Sequence, residues 1–331
     1  MGILGQIKEK IQKGTTRLKN RNKGPVQKAI GWVYTNRIPN AGLPPYHRAK
    51  FHTPEVTGYL IPTLYRFGEK ELARELVQWE ASVQRPDGAF NAPNTDTPYT
   101  FDTAQVARGF LAMLDDMPQL EKNLRRACDY VERQIDATGK VNTPSYKLWK
   151  LSDGTMLSEY GNLYVLPPLL EVGKKLSEPR YTEAAKRGMN YFRRKPDLVE
   201  FKPELATLSH YFGYMMEALV DLGEIDLAKK GLERAATIQR EDGSIPAYPG
   251  VHWICSTGMA QLAIAWYKLG IREPADKAVN CLERIQNPSG GFYGGYGKGA
   301  EYFPEREITW AVKFFLDAKY WQTRRVEEHH A

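Results

Sequence analysis

Six short clusters in this chain mix acids, histidines and aromatic rings. They are His52-Thr53-Pro54-Glu55, Tyr99-Thr100-Phe101-Asp102, Ser158-Glu159-Tyr160, Ser209-His210-Tyr211, His252-Trp253, and Tyr302 to Glu307 with Trp310 close behind. Two carboxylates facing one centre can serve as general acid and as base or nucleophile, the equipment that cleaves a bond between sugars. Asp102 and Glu159 form the leading pair, with Glu55 and Glu307 behind them. A histidine or tyrosine can instead abstract a proton beside a carboxylate. His210 is the candidate base for that chemistry, and Arg306 or Arg48 would pair with the carboxylate. His52, Tyr99, Tyr160, Tyr211, His252, Trp253, Tyr302 and Trp310 offer apolar faces with polar edges, the mixture that a carbohydrate site needs. Acids, Ser and Thr are also favoured at helix N-termini, where they cap backbone N–H groups and complement the macrodipole. Capping explains any single acid here, but not His52, His210 or the rings beside them.

The elements that must carry these clusters repeat. Segments 58–68, 162–173, 211–223 and 258–270 each end in an apolar stretch and Gly, and 105–117 and 308–320 fill two further slots without the glycine. All six are apolar nearly all round, which predicts buried helices. More polar segments alternate with them, at about 25–36, 69–84, 118–135, 180–194, 224–239 and 272–286. Their apolar residues recur at three and four, as in Leu72, Leu76 and Trp79, which predicts helices with one buried face. Gly68, Gly173, Gly223 and Gly270 read as helix C-caps. Gln84-x-x-Asp-Gly-Ala-Phe90, Gln239-x-x-Asp-Gly-Ser-Ile245 and Gln286-x-x-Ser-Gly-Gly-Phe292 share one spacing, and Gln134 holds the place in a diverged copy. Asp-Gly and Ser-Gly suit a tight turn with positive φ at Gly.

Counting thirteen residues back from the terminal glycines reaches Glu55, His210, Thr257 and Tyr160, the last beside Glu159. Aligning the two glycine-less segments at Asp115 and Tyr320 reaches Asp102 and Glu307. All six positions fall at the starts of the apolar helices. The prediction is an all-α fold of six hairpins, closed into a ring because neither end carries the polar cap that an open array needs. The clusters would then share one mouth, with the loop Gly290–Phe303 able to cover it.

The Gln-x-x-x-Gly-x-aromatic turns between alternating outer and inner helices resemble those of the (α/α)6 toroids, over about residues 25–320. The turn motif is similar to that of squalene and terpene cyclases and protein prenyltransferases. The same architecture is shared by six-hairpin glycosidases, unsaturated-uronyl hydrolases, polysaccharide lyases and uronyl epimerases. Phe101-Asp102-Thr103-Ala104 is similar to an Asp-Thr-Ser/Ala stretch at an inner-helix start of the unsaturated-glucuronyl hydrolases. The resemblance implies a carbohydrate-active enzyme on an oligo- or polysaccharide, hydrolase ahead of lyase or epimerase. A terpene-cyclase or prenyltransferase-like enzyme and a non-catalytic glycan- or peptide-binding ring are the alternatives. Against the cyclase stands the absence of an Asp-x-Asp-Asp motif.

The 331 residues carry a formal charge of +7, 42% apolar residues and 26% charged ones, which excludes a disordered or collagen-like chain. Residues 1–28 hold eight Lys or Arg and one acid, so the whole excess lies there and the rest is neutral. The charge therefore gives no support for nucleic-acid binding, and no such motif is present. Ile3, Leu4, Ile7 and Ile11 recur at helical spacing among lysines. Residues 1–24 thus read as a basic amphipathic leader that could touch an anionic membrane, or as a solvated tail. Residues 25–321 would form the toroid and 322–331 a polar tail. With no apolar signal core, the expected compartment is the cytoplasm, with the inner membrane face as an option. Three widely spaced cysteines argue against a disulfide framework. His252-x-x-Cys255 is the only close His/Cys pair, so no metal and no cofactor is expected.

Overall fold

The computed structural model describes residues 22–143 and 159–324. The described residues form twelve α-helices and one two-stranded ribbon. The more polar helices are α1 (Pro25–Asn36), α3 (Lys70–Val83), α5 (Glu121–Arg133), α7 (Pro179–Arg193), α9 (Ile225–Thr237) and α11 (Arg272–Ile285). The apolar ones are α2 (Pro54–Arg66), α4 (Thr100–Met113), α6 (Leu166–Lys175), α8 (Ser209–Asp221), α10 (Ser256–Lys268) and α12 (Thr309–Gln322). Each apolar helix packs against the next, and α12 returns to α2, so six inner helices close a ring. Each polar helix covers the inner helix beside it. This is the six-hairpin ring expected from the alternation of apolar and amphipathic segments. None of the described helices is long and apolar enough to cross a membrane.

The repeated turns are the struts between neighbouring outer helices. The side-chain amide of Gln84 donates to Gly88 O in its own turn (3.0 Å) and to Asn123 O at the start of α5 (2.9 Å). Gln239 does the same to Gly243 O (3.2 Å) and Pro274 O (2.9 Å), and Gln286 to Gly290 O (3.0 Å) and Pro25 O (3.0 Å). The three glycines have φ of +92°, +82° and +97°. A Cβ on any of them would lie 2.0–2.1 Å from a carbonyl oxygen of the next outer helix. Backbone conformation and space both exclude a side chain there. In the diverged copy Gly139 keeps this place against Arg187 O, while the Arg187 guanidinium reaches back to Asp136 O and Ile135 O. Ion pairs serve the two remaining seams: Arg37 with Glu75, and Arg193 and Arg234 with Glu224 and Glu200.

Gly68, Gly223 and Gly270 end their helices in the left-handed conformation, as read from the sequence. Gly173 does not. It is buried inside α6, where a Cβ would stand 2.5 Å from Thr182 Oγ1, and Ser177 takes the left-handed position after the helix. A glycine selected for close packing thus mimics a cap. The inner register of this repeat moves by four residues, and Tyr164 replaces Tyr160 at the ring position.

Candidate active site

Glu55 lies in the first turn of α2 and Asp102 in that of α4. The two helices meet almost backbone to backbone: a Cβ on Gly58 would be 2.6 Å from Val106 Cα, and one on Gly109 2.8 Å from Gly58 O. That approach holds the two carboxyls near enough for each to affect the other's ionisation. Asp102 is 1% exposed, and its Oδ2 has no hydrogen-bond partner. Burial, then the charge of Glu55, pushes its carboxyl well above the usual range. Glu55 keeps partial exposure. Burial raises its carboxyl to about 7, against the opposite pull of a hydrogen bond donated by the Tyr214 hydroxyl. Both carboxyls therefore hold their protons to higher pH than free carboxyls do, and the deeply buried Asp102 stands beside the more exposed Glu55. Environments that separate two carboxyls in this way make one an acid and the other a base.

His210, in the first turn of α8, faces the same mouth and is 4% exposed. Burial pushes its imidazole down to about 4, so the ring is neutral. Its Nδ1 lies 2.7 Å from Gln261 Oε1. Four rings enclose it: Tyr214 at 4.5 Å, Tyr211 at 5.4 Å, Tyr302 at 5.9 Å and Phe314 at 6.1 Å. Tyr302 arrives from the loop after α11, and its hydroxyl accepts from Trp310 Nε1 at 3.1 Å. The Gly-rich loop is pinned by the antiparallel ribbon Ile254–Cys255 with Gly295–Tyr296, so it reaches back over the mouth. Below these residues lies a polar floor. Lys313 pairs with Asp317 at 3.1 Å, and Thr63 Oγ1 donates to Asp317 Oδ1 at 2.8 Å.

The other residues read from the sequence are distributed differently. Glu159 starts a 3-10 turn, Glu159–Val165, and pairs with Lys195 at 3.0 Å on the rim instead of joining Asp102. Tyr160 is beside it, packed on Phe192. Ser158 lies outside the described residues. Glu307 precedes α12 and is fully engaged: Trp32 Nε1 donates to Oε2 at 2.6 Å, and Asn287 Nδ2 and the Ser289 hydroxyl donate to Oε1. It fastens the last hairpin to α1. The reason for its misplacement is that the helix ends at Gln322, so the place two residues past the end is Arg324 and not Tyr320, and thirteen residues back lies Ala311, beside Trp310. His52 sits exposed against Trp79 at 4.7 Å, and His252 is exposed. Trp253 is buried beneath Gly295 and Gly297. Arg306 stacks its exposed guanidinium over Tyr46. Tyr99 and Tyr211 are buried beside Asp102 and His210. No group of three or more His, Cys, Asp or Glu among the described residues could hold a metal ion, and all three cysteines are buried thiols.

Sequence reasoning missed Tyr59, Tyr164, Tyr214, Gln261 and Lys313, all buried inside the ring. The available signal was a polar atom inside an otherwise apolar helix, which is costly unless it serves a purpose.

No family model matches the chain, and no curated protein matches it by sequence. Solved structures do. An α-amylase from Clostridium perfringens superposes with a TM-score of 0.71 at 10% identity, over 91% of this chain and 98% of that one. An unsaturated glucuronyl hydrolase specific for heparin gives 0.68 at 12%, over 90% and 95%. A polysaccharide lyase gives 0.61 at 14%, over 92% and 98%. The fold is the (α/α)6 toroid.

Proposed function

We propose that the chain is a carbohydrate-active enzyme that hydrolyses a glycosidic bond in an oligo- or polysaccharide, with Asp102 as general acid and Glu55 as base or nucleophile. The observation that carries this reading is the coupled carboxyl pair. Asp102 is fully buried and Glu55 partly exposed, and burial raises both carboxyls above their ordinary range. Asp102 gives its proton to the leaving oxygen, and Glu55 attacks the anomeric carbon or activates water to do so. Tyr214 steadies the Glu55 carboxylate through its hydroxyl. Tyr302, Trp310 and Tyr211 offer ring faces to a sugar. The resemblance of the fold to glycoside hydrolases and a polysaccharide lyase supports a sugar substrate.

The test is a panel of neutral and uronate-containing oligosaccharides, reading new reducing ends, new double bonds and solvent-deuterium incorporation. These readouts separate hydrolase, lyase and epimerase. Glu55→Gln and Asp102→Asn should each abolish new reducing ends. Activity that survives in both variants overturns the assignment. We also propose that the basic segment 1–24 contacts anionic membrane surfaces from the cytoplasmic side. The charge excess confined to residues 1–28 supports this.

A further inference from the structure

The neutral imidazole of His210 has two nitrogens with different duties, and its surroundings decide which one carries the proton. Nδ1 is 2.7 Å from Gln261 Oε1. An amide oxygen only accepts, so Nδ1 must donate. Gln261 is 0% exposed on α10, and its side chain lies against Gly213 of α8. A Cβ on Gly213 would be 2.6 Å from Gln261 Cβ and 3.0 Å from Oε1, so the amide lies directly against the Gly213 backbone. The ring's hydrogen bond to Gln261 runs through Nδ1, which leaves Nε2 as the nitrogen on the other side of the ring. The groups that face the ring are Tyr211 and Tyr214 from its own helix, Tyr302 from the loop, and Phe314 and Lys313 from α12. Lys313 is the charged group among them, and its ammonium opposes a second cation on the imidazole.

We infer that Gln261 is the positioning residue for His210: it holds the proton on Nδ1 and leaves the Nε2 lone pair facing the mouth as an acceptor for a sugar hydroxyl. The hydroxyl clause rests on the proposed glycan reading; the tautomer does not. A neutral acceptor at this point recognises a hydroxyl without adding charge beside the Glu55–Asp102 pair.

The tautomer is read on the intact, unliganded protein by selective 15N-histidine labelling, with His210 assigned through loss of its signals in His210→Gln. The expected result is a protonated Nδ1 and a bare Nε2 from pH 6 to 8. A proton on Nε2, or an imidazolium at pH 7, overturns the inference. Gln261→Glu keeps the side chain's size but places a carboxylate at Nδ1, so His210 should titrate at a higher pH. An unmoved titration in a variant whose circular dichroism is native also overturns it. For the hydroxyl, the probe is the oligosaccharide of the panel that the wild-type chain cleaves, added to the Glu55→Gln protein. The Nε2 resonance should move while Nδ1 stays. An unmoved Nε2 removes the hydroxyl contact and leaves the tautomer standing on its own data.

Discussion

Replacing Glu217 by Gln should stabilise the protein, and only above acid pH. Glu217 is on α8, 3% exposed, with Oε1 lacking a hydrogen-bond partner. Burial raises its carboxyl from its ordinary 4.5 to about 7, even though Lys313 and Lys268 pull it down. A carboxyl raised by folding favours the protonated state in the fold. Its contribution is complete below pH 4.5 and is lost as pH rises towards 7. At 1.36 kcal/mol per pH unit, the gap between 4.5 and about 7 makes the ionised form cost about 3 kcal/mol at and above neutrality. Gln has nearly the same shape and carries no such cost. In a chain of this size each kcal/mol moves Tm by roughly 1–3 °C. Thermal unfolding should therefore show Glu217→Gln several degrees above wild type at pH 8 and level with it at pH 4.5. A variant that is destabilised equally at both pH values would refute the reasoning. It would mean that the carboxylate is held by its lysine neighbours as a structural ion.

Other outcomes follow from the geometry. The pH profile of kcat/KM should rise as Glu55 ionises near 7; a profile that is flat across neutrality removes the pair from the reaction. Gly290→Ala should cost about 2–5 kcal/mol in urea unfolding, combining a left-handed backbone with overlap on Lys28 O. Gly68→Ala, left-handed but in open space, should cost only about 1–2 kcal/mol. Glu307→Ala should lower stability by roughly 2–4 kcal/mol, through orphaned donors on Trp32, Asn287 and Ser289, and leave kcat within a few-fold. Deleting residues 1–24 should abolish co-sedimentation with anionic vesicles without changing the circular dichroism of the ring.

The ring was legible because its logic is periodic. Apolar and amphipathic helices alternate, and the Gln-x-x-x-Gly turn recurs with fixed spacing. Glu55 and His210 were reached from left-handed glycines that mark their helix ends, Gly68 and Gly223, and Asp102 from an alignment at Asp115, two residues past the end of its helix. Where the mark misled, so did the register. Gly173 answers to Thr182 and not to a cap, which directed attention to Glu159 and Tyr160 and away from Tyr164. At α12 no glycine marks the end, and Glu307 was aligned with the ring when it serves as a clasp. Tyr214 and Gln261 could not be separated from core residues by spacing, because on a helix that is apolar all round every face points at another helix. Which rings touch His210 depends on helix rotation, a tertiary property.

The strut from Gln286 to Pro25 joins residues 261 positions apart with the same bonds that join neighbours elsewhere in the ring. An open array can lose a terminal repeat and keep the rest, or assemble outward from any pair. Here the last seam forms only when both ends of the described chain have arrived. Its loop-closure entropy must be met before the contact returns anything. Folding should thus be slow relative to that of a helical array of equal length, and should finish in one step. Because the closing strut matches the struts after Gln84 and Gln239, the place where the chain begins is incidental to the ring. A permuted chain opened at the Gln239 strut, with its old ends joined, would keep every seam but the one cut.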